Sequence, residues 1–263
     1  MEDSLISWER KYHRESDGEA FLFYVAFGEI AQDRPLDSRV YRCAGTPAGF
    51  ELMAYDKVRH REFIDGFRQG YLWEQLIAEN SELARKIEHS PGCVILRGGQ
   101  KNPETLDYLG DCAGLLTYLL DNGACAIYDP QMFHWWSPQQ WRERIFDPAS
   151  PVPRHHVVIL YSQEEELPDL LWVHTRGMRK FGRPDISVRR VGPAYRDAVI
   201  DLCERFIEYR AYGAVITEGQ SVRMASLPPG GVAHHGGDLD DPDFNNVHVE
   251  FVWPEPGLTV NIA

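Results

Sequence analysis

The most unusual chemistry in this sequence lies in a basic loop, residues 174–185, expected between two strands. From Arg176 to Arg190 there are six basic residues and one acid, although the chain has a formal net charge of −13. Two glycines and a proline predict a loop whose backbone a ligand can approach closely. Forked guanidinium groups beside backbone N–H groups suit a phosphate or a carboxylate. The site candidates from this loop are His174, Arg176, Arg179, Arg183 and Asp185.

A second interpretation of the basic loop stays open. Arg179 and Arg183 would then pair with the chain's own surplus carboxylates and fix the loop in place, because charged clusters are more often structural than catalytic. If the loop is instead an active site, His174 would transfer protons while the arginines hold the anion.

An acidic segment, residues 234–250, offers the complementary charge. Its oxygen-rich spacing at Asp238, Asp240 and Asp243 is similar to a calcium loop, but the ligand order and the glycine of an EF-hand are missing. Three interpretations of this segment remain open: plain turn formation, a transition-metal site with nearby histidines, and a contact with a polar substrate. No metal and no cofactor is assigned. The site candidates from this segment are Asn245, His248 and Glu250.

Composition excludes several classes of protein. Five widely spaced cysteines without a Cys-x-x-Cys pair disfavour a disulfide scaffold and a thiolate zinc site, and indicate a reducing cytoplasm. Met1-Glu2-Asp3 lacks the basic start of a signal peptide, and no apolar run is long enough for a membrane span. The acidic balance makes nonspecific nucleic-acid binding unfavourable. No hydrolase elbow, zinc-protease or dinucleotide motif is found.

Hydrophobic spacing predicts the elements that position these residues. A continuous apolar run over 21–27 predicts a buried strand, and apolar steps of three or four over 63–87 predict a helix that Asn80 splits. An N-cap and a proline at Asn102-Pro103 predict the start of the next helix. This helix lies between strands expected at 93–96 and 124–128.

Three prolines within residues 147–154 mark the boundary between two halves, 1–147 and 155–263. Each proline removes a backbone donor and disfavours a helix before it, so this segment is expected to cross the surface. The second half is expected to hold strands at 157–161, 170–173, 186–191 and 247–253 and a helix at 193–212. The sequence therefore predicts an α+β fold with two mixed sheets, each covered by helices, in two closely packed halves.

Two phrases of the sequence resemble signatures of a bacterial family of domains of unknown function. The first, at 172–185, contains His-Thr-Arg-Gly-Met-Arg-Lys-Phe-Gly-Arg-Pro-Asp, and the second, at 240–246, is Asp-Asp-Pro-Asp-Phe-Asn-Asn. The resemblance covers chiefly residues 90–255. It implies a bacterial cytosolic α+β protein and no particular activity, so no catalytic role is carried over from it.

Two functions from different classes fit these observations. A binding protein of an immunity or regulatory type would use its acidic surface to reach a basic protein partner, because opposite charge speeds association. An enzyme would clamp an anionic small molecule with the arginines of the basic loop and use His174, or His248 with Glu250, as proton carriers. In either case we expect the basic loop and the acidic segment to form one polar site.

Overall fold

The chain divides into two units, each built around one β-sheet. The computed structural model describes residues 7–31, 34–254 and 258–259. The first unit holds the residues up to Glu9, Phe21–Gln100 and Thr105–Val152, and the second holds Arg10–Ala20, Lys101–Glu104 and the residues from Pro153 onward. Residues 1–3, on which the expectation about a signal peptide rests, lie outside the described part. The predicted α+β class is confirmed.

The first unit contains a five-stranded sheet. Its strands are β1 (Glu19–Gly28), β2 (Phe50–Asp56), β3 (Gly92–Lys101), β4 (Ala124–Asp129) and β5 (His134–Trp136). They lie in the order β2-β3-β1-β4-β5, and β4 runs antiparallel to both β1 and β5. Its helices are α1 (Ser38–Tyr41), α2 (Arg61–Gly66), α3 (Tyr71–Glu79), α4 (Ser81–His89), α5 (Asp107–Asp121) and α6 (Pro138–Trp141).

Both faces of this sheet carry apolar side chains, which is why β1 is a continuous apolar run rather than an alternating one. Val25 and Phe27 pack in one cluster with residues of α2, α3 and α4. Tyr24 points to the other face, where its ring meets Trp141 of α6 edge-on at 5.6 Å. The Trp141 Nε1 donates to Thr117 Oγ1 of α5 at 3.0 Å. The sheet is therefore buried between two helical layers.

Two expectations for this unit had different outcomes. The predicted split at Asn80 is confirmed, because the Asn80 side chain accepts from Leu83 N and caps α4. The expected N-cap at Asn102 is wrong, since β3 continues to Lys101 and α5 begins at Asp107. Gly98 lets β3 continue: a Cβ there would lie 2.1 Å from Gly49 O, so only glycine allows this close approach of β2 and β3.

The second unit contains a six-stranded sheet with one long helix. Its elements are β6 (Val158–Gln163), β7 (Leu171–Arg176), β8 (Asp185–Val191), α7 (Arg196–Ala211), β9 (Ser221–Val222), β10 (Gly231–Gly236) and β11 (His248–Val252). The strands lie in the order β6-β7-β8-β11-β10-β9. The β8–β11 pair is parallel and the other four pairs are antiparallel, so this sheet is mixed.

One face of the second sheet forms the core with α7. Val173, Val188 and Val249 are fully buried and pack with Val199 and Leu202 of the helix. Because side chains alternate along a strand, the opposite face carries the residues between these valines. We call it the polar face, and its residues include Trp172, His174, Ser187, Arg189, His234, His248 and Glu250.

Among the described residues, no helix combines the length and apolar composition that a bilayer crossing requires.

The proline-rich boundary segment is exposed in its first part and is fixed by ion pairs at its end. Ala149 and Ser150 are exposed, and the division between the units falls after Val152. Arg154 pairs with Glu204 and with Glu208 of α7, each at 3.2 Å.

We expect elastase to make its first cut after Ala149, because this exposed residue fits the small specificity pocket of that protease. Trypsin should cut slowly at Arg154 and faster in the E204Q/E208Q variant, which frees the arginine. Mass spectrometry of timed digests checks both rates. A first elastase cut outside 147–154 would contradict the prediction.

Candidate functional site

All eight predicted site residues belong to the second unit. His174 and Arg176 lie on β7, Arg179 lies on a short 3₁₀ helix, Met178–Phe181, and Arg183 follows that helix. Because β8 lies between β7 and β11, the topology brings the ends of these strands together. The other four residues are Asp185 at the start of β8, Asn245 before β11, and His248 and Glu250 on β11.

Asp185 is the centre of this arrangement. Its carboxylate is fully buried and accepts hydrogen bonds from Thr175 Oγ1 at 2.8 Å, Met178 N at 3.2 Å and Asn246 Nδ2 at 2.8 Å. Burial raises the pKa of Asp185 to about 6, although these three donors and the charge of Arg210 act to lower it. Asp185 therefore joins β7, β8 and the end of the acidic segment, and it has no exposed surface for a ligand.

Arg183 is used inside the fold. Its side chain is 2% exposed and donates to the carbonyl oxygens of Gly213 at 2.8 Å and Arg14 at 3.2 Å, among others. It also donates to Ser16 Oγ at 2.8 Å. The backbone of Arg183 reaches the acidic segment, where its carbonyl accepts from Asn246 Nδ2 at 2.9 Å. Arg183 therefore lies within reach of that segment, as expected, and the contact is made by its backbone carbonyl.

Arg176 and Arg179 do join the basic loop to the acidic segment. Arg176 Nη1 donates to the carbonyl oxygens of Pro242 at 3.1 Å and Asp243 at 2.7 Å. Arg179 Nη1 donates to the carbonyl oxygen of Asn245 at 3.2 Å. The contact was expected between guanidinium groups and carboxylates, but these bonds run to the backbone. They fix the path of the acidic segment.

Aromatic stacking holds the acidic segment on the polar face. Phe244 stacks on His248 with a centroid distance of 4.3 Å and meets His174 at 5.3 Å. His174 in turn stacks on Trp172 at 4.0 Å, and the Arg189 guanidinium lies 4.0 Å from the Trp172 ring centroid. The predicted proximity of His174 to the acidic segment is therefore found, with Phe244 as the direct contact.

The two histidines of this cluster are held neutral. Burial and the charges of Arg189 and Arg176 lower the pKa of His174 to about 4, against a smaller opposing effect of Asp241. Burial also lowers the pKa of His248. The Nδ1 atoms of both rings are buried without a hydrogen-bond partner among the described residues.

A row of polar side chains crosses the polar face beside this cluster. His174 lies opposite Ser187, Ser187 opposite Glu250, and Glu250 opposite His234. Ser187 Oγ accepts from Trp172 Nε1 at 2.9 Å, and His234 pairs with Glu218 at 2.8 Å. In the described part of the chain no hydrogen bond joins Ser187 to a histidine.

Sequence reasoning missed several residues of this surface. Trp172 lies two residues from His174 on β7, and Ser187 and Arg189 lie two and four residues after Asp185 on β8, so the period of two would have placed them on the same faces. No comparable signal indicated Phe244, because its loop has no regular period. Phe244 and Asn246 entered the sequence analysis only as part of the resemblance at 240–246.

The acids of the acidic segment form turns. Asp238 Oδ1 accepts from Asp240 N at 2.8 Å, and Asp241 Oδ1 accepts from Asp243 N at 2.9 Å. These are the local bonds that Asp makes with a following backbone N–H. Within the described ranges, no group of three or more His, Cys, Asp and Glu side chains converges as metal ligands do.

Comparison with known proteins finds no match: no family model matches the chain, and no curated protein or solved structure is significantly similar to it.

Replacing Arg183 by alanine should lower the free energy of unfolding by roughly 3 kcal/mol, because several buried carbonyl groups lose their donor. R205A is the matched control, since Arg205 forms an exposed pair with Asp201 and should change stability by less than about 0.5 kcal/mol. Urea denaturation measures both values. Equal stability of R183A and the wild type would contradict the internal role of Arg183.

His174 should make the protein less stable in acid. Its pKa of about 4 in the folded state lies below the ordinary 6.5, so its stabilising contribution is present above pH 6.5 and is lost as the pH falls toward 4. Asp185 acts in the opposite direction, because its raised pKa favours the folded state at low pH. The H174F variant keeps a ring that can stack and removes only the titration of His174. Between pH 6.5 and 4 the wild type should lose roughly 2–3 kcal/mol more than H174F in denaturation experiments. Parallel stability curves would contradict this.

Proposed function

We propose that this chain is a binding protein, of an immunity or regulatory type, whose second unit presents an acidic surface to a basic protein partner. One observation carries the proposal. In the described part of the second unit five cationic side chains are buried and only one carboxylate, Asp185, is buried with them. The surface of this unit therefore carries a larger excess of acidic over basic side chains than the unit as a whole. The buried cations are Arg10, Arg176, Lys180, Arg183 and Arg210.

Two groups of exposed acids in the second unit differ in their neighbours. On α7 they are neutralised by neighbours: Asp197 pairs with Arg196, and Asp201 with Arg205, each at 3.0 Å. The second group lies in the β6–β7 loop and the acidic segment, and no salt bridge to these acids is found among the described residues. Its members include Glu165, Glu166, Asp169, Asp238, Asp240 and Asp243.

Such unneutralised carboxylates suit a cationic partner. An acidic patch raises the association rate with a basic protein and selects against acidic ones. All five cysteines are free, so we place this interaction in a reducing compartment, the bacterial cytoplasm.

The alternative is an enzyme that acts on an anionic small molecule. It draws support from the buried, unpartnered Nδ1 atoms of His174 and His248 beside the Arg189 guanidinium. It is weakened by the use of Arg176 and Arg183 as donors to the backbone.

An array of Lys/Arg-rich peptides, with neutral and acidic peptides of the same apolar content, tests the proposal. We expect saturable binding to basic peptides. The D238N/D243N variant should reduce their association rate by about tenfold at low salt. The matched control is D197N/D201N, which changes the net charge equally at acids that are already paired, and it should have little effect.

Equal effects of the two double variants would mean that binding depends on net charge alone. This result would contradict a specific binding surface in the acidic segment. An absence of basic-peptide binding, together with a higher melting temperature in phosphate or a small carboxylate, would favour the enzyme.

A further inference from the structure

The β6 edge of the second sheet differs from the other sheet edges of the molecule. A strand at an edge exposes backbone groups that can pair with another chain, and proteins protect such edges with short strands, charges, prolines or bulges. Among the described residues, β9 has two residues and β5 has three. β2 is longer but carries Glu51 and Asp56. β6 has six residues, Val-Ile-Leu-Tyr-Ser-Gln, with no charge and no proline.

The register shows which β6 groups are free for pairing. In the part of the chain that the structure describes, β6 pairs only with β7, with Leu160 opposite His174. Glu164 N donates to Leu170 O at 3.0 Å, which makes these two residues a hydrogen-bonded pair. Hydrogen-bonded and non-hydrogen-bonded pairs alternate along an antiparallel ladder. The N–H and C=O groups that point away from β7 are therefore those of Ile159, Tyr161 and Gln163.

The surroundings of this edge favour a cationic partner over a second copy of the chain. Tyr161 is 58% exposed, and Ser162 and Gln163 are exposed, so the end of β6 is accessible. The chain continues from it into Glu165 and Glu166, which carry no salt bridge among the described residues. Two copies of a chain with a net charge of −13 repel each other, whereas a segment with lysine or arginine gains from these glutamates.

We propose that β6 is a strand-addition site, at which an extended segment of the partner pairs with Ile159, Tyr161 and Gln163 while its basic residues lie against Glu165 and Glu166. This inference rests on the proposed function, since it specifies how a basic partner binds. Main-chain bonds would supply affinity and the flanking charges would supply selectivity, as in other strand-addition complexes.

The test uses the full chain and a synthetic peptide with alternating threonine and valine followed by three lysines. In Y161P the outward N–H is removed without loss of a β6–β7 bond, a change that edge strands tolerate. Y161T keeps the N–H and is the matched control. We expect Y161P to lower the affinity for the peptide by roughly tenfold, and Y161T to lower it much less. Peptide binding should also slow amide hydrogen exchange at Ile159, Tyr161 and Gln163 in the wild type. Circular dichroism checks that both variants are folded.

The outcomes separate this inference from the proposed function. If basic peptides bind Y161P and Y161T equally, but D238N/D243N binds them weakly, strand addition is wrong and the acidic surface stands. If no basic peptide binds, the proposed function and the strand-addition inference are both wrong. A dimer in sedimentation that Y161P converts to a monomer would identify a second copy as the occupant and overturn the cationic partner. Should Y161P unfold, the hydrogen-exchange result on the wild type decides: unchanged exchange overturns the proposal.

Discussion

The fully buried carboxylate of Asp185 is the constraint on which the second unit depends. Three donors from three segments converge on it: a hydroxyl of β7, a backbone N–H of the 3₁₀ helix and an amide of the residue that precedes β11 by two positions. These bonds define where β7 ends, where β8 begins and how the chain returns to β11. The polar face has its arrangement because these strand ends are fixed.

This arrangement costs free energy as well as supplying order. Burial raises the pKa of Asp185 to about 6 and lowers the pKa of Arg210, which attracts it, to about 9. Each pKa moves toward the neutral form of its group, which means that loss of hydration outweighs the attraction between the two charges. Arg210 Nε and Nη1 have no hydrogen-bond partner among the described residues. A buried pair of this kind is weak support for stability, and its value lies in specifying one arrangement of the strands.

The sequence contained enough to predict seven strands and the two long helices, but neither β2, β5, β9 and β10 nor the hydrogen-bond partners of the arginines. Alternation over 247–253 predicts that Val247, Val249, Phe251 and Trp253 face inward. The last three are buried, whereas Val247, which precedes β11, is exposed. The basic loop gave no such rule. A guanidinium can donate to backbone carbonyl groups or to carboxylates. Which acceptor it meets depends on the packing of residues that are distant in sequence. The start of α5 was misjudged for the same reason, because the glycines of β3 serve a close approach to β2.

Burial of the cations and order of the acids are linked by the same bonds. Arg176 and Arg179 donate to backbone carbonyl groups of the acidic segment, and the bonds of Asp238 and Asp241 to following N–H groups shape its turns. Phe244 then fixes the segment between two neutral histidines. An acidic loop that was free in solution would lose conformational entropy on binding, whereas this one is already ordered by the fold. The arginines whose sequence pattern suggests an anion site thus hold the acidic segment in a defined shape, which is what the proposed selectivity among basic partners requires.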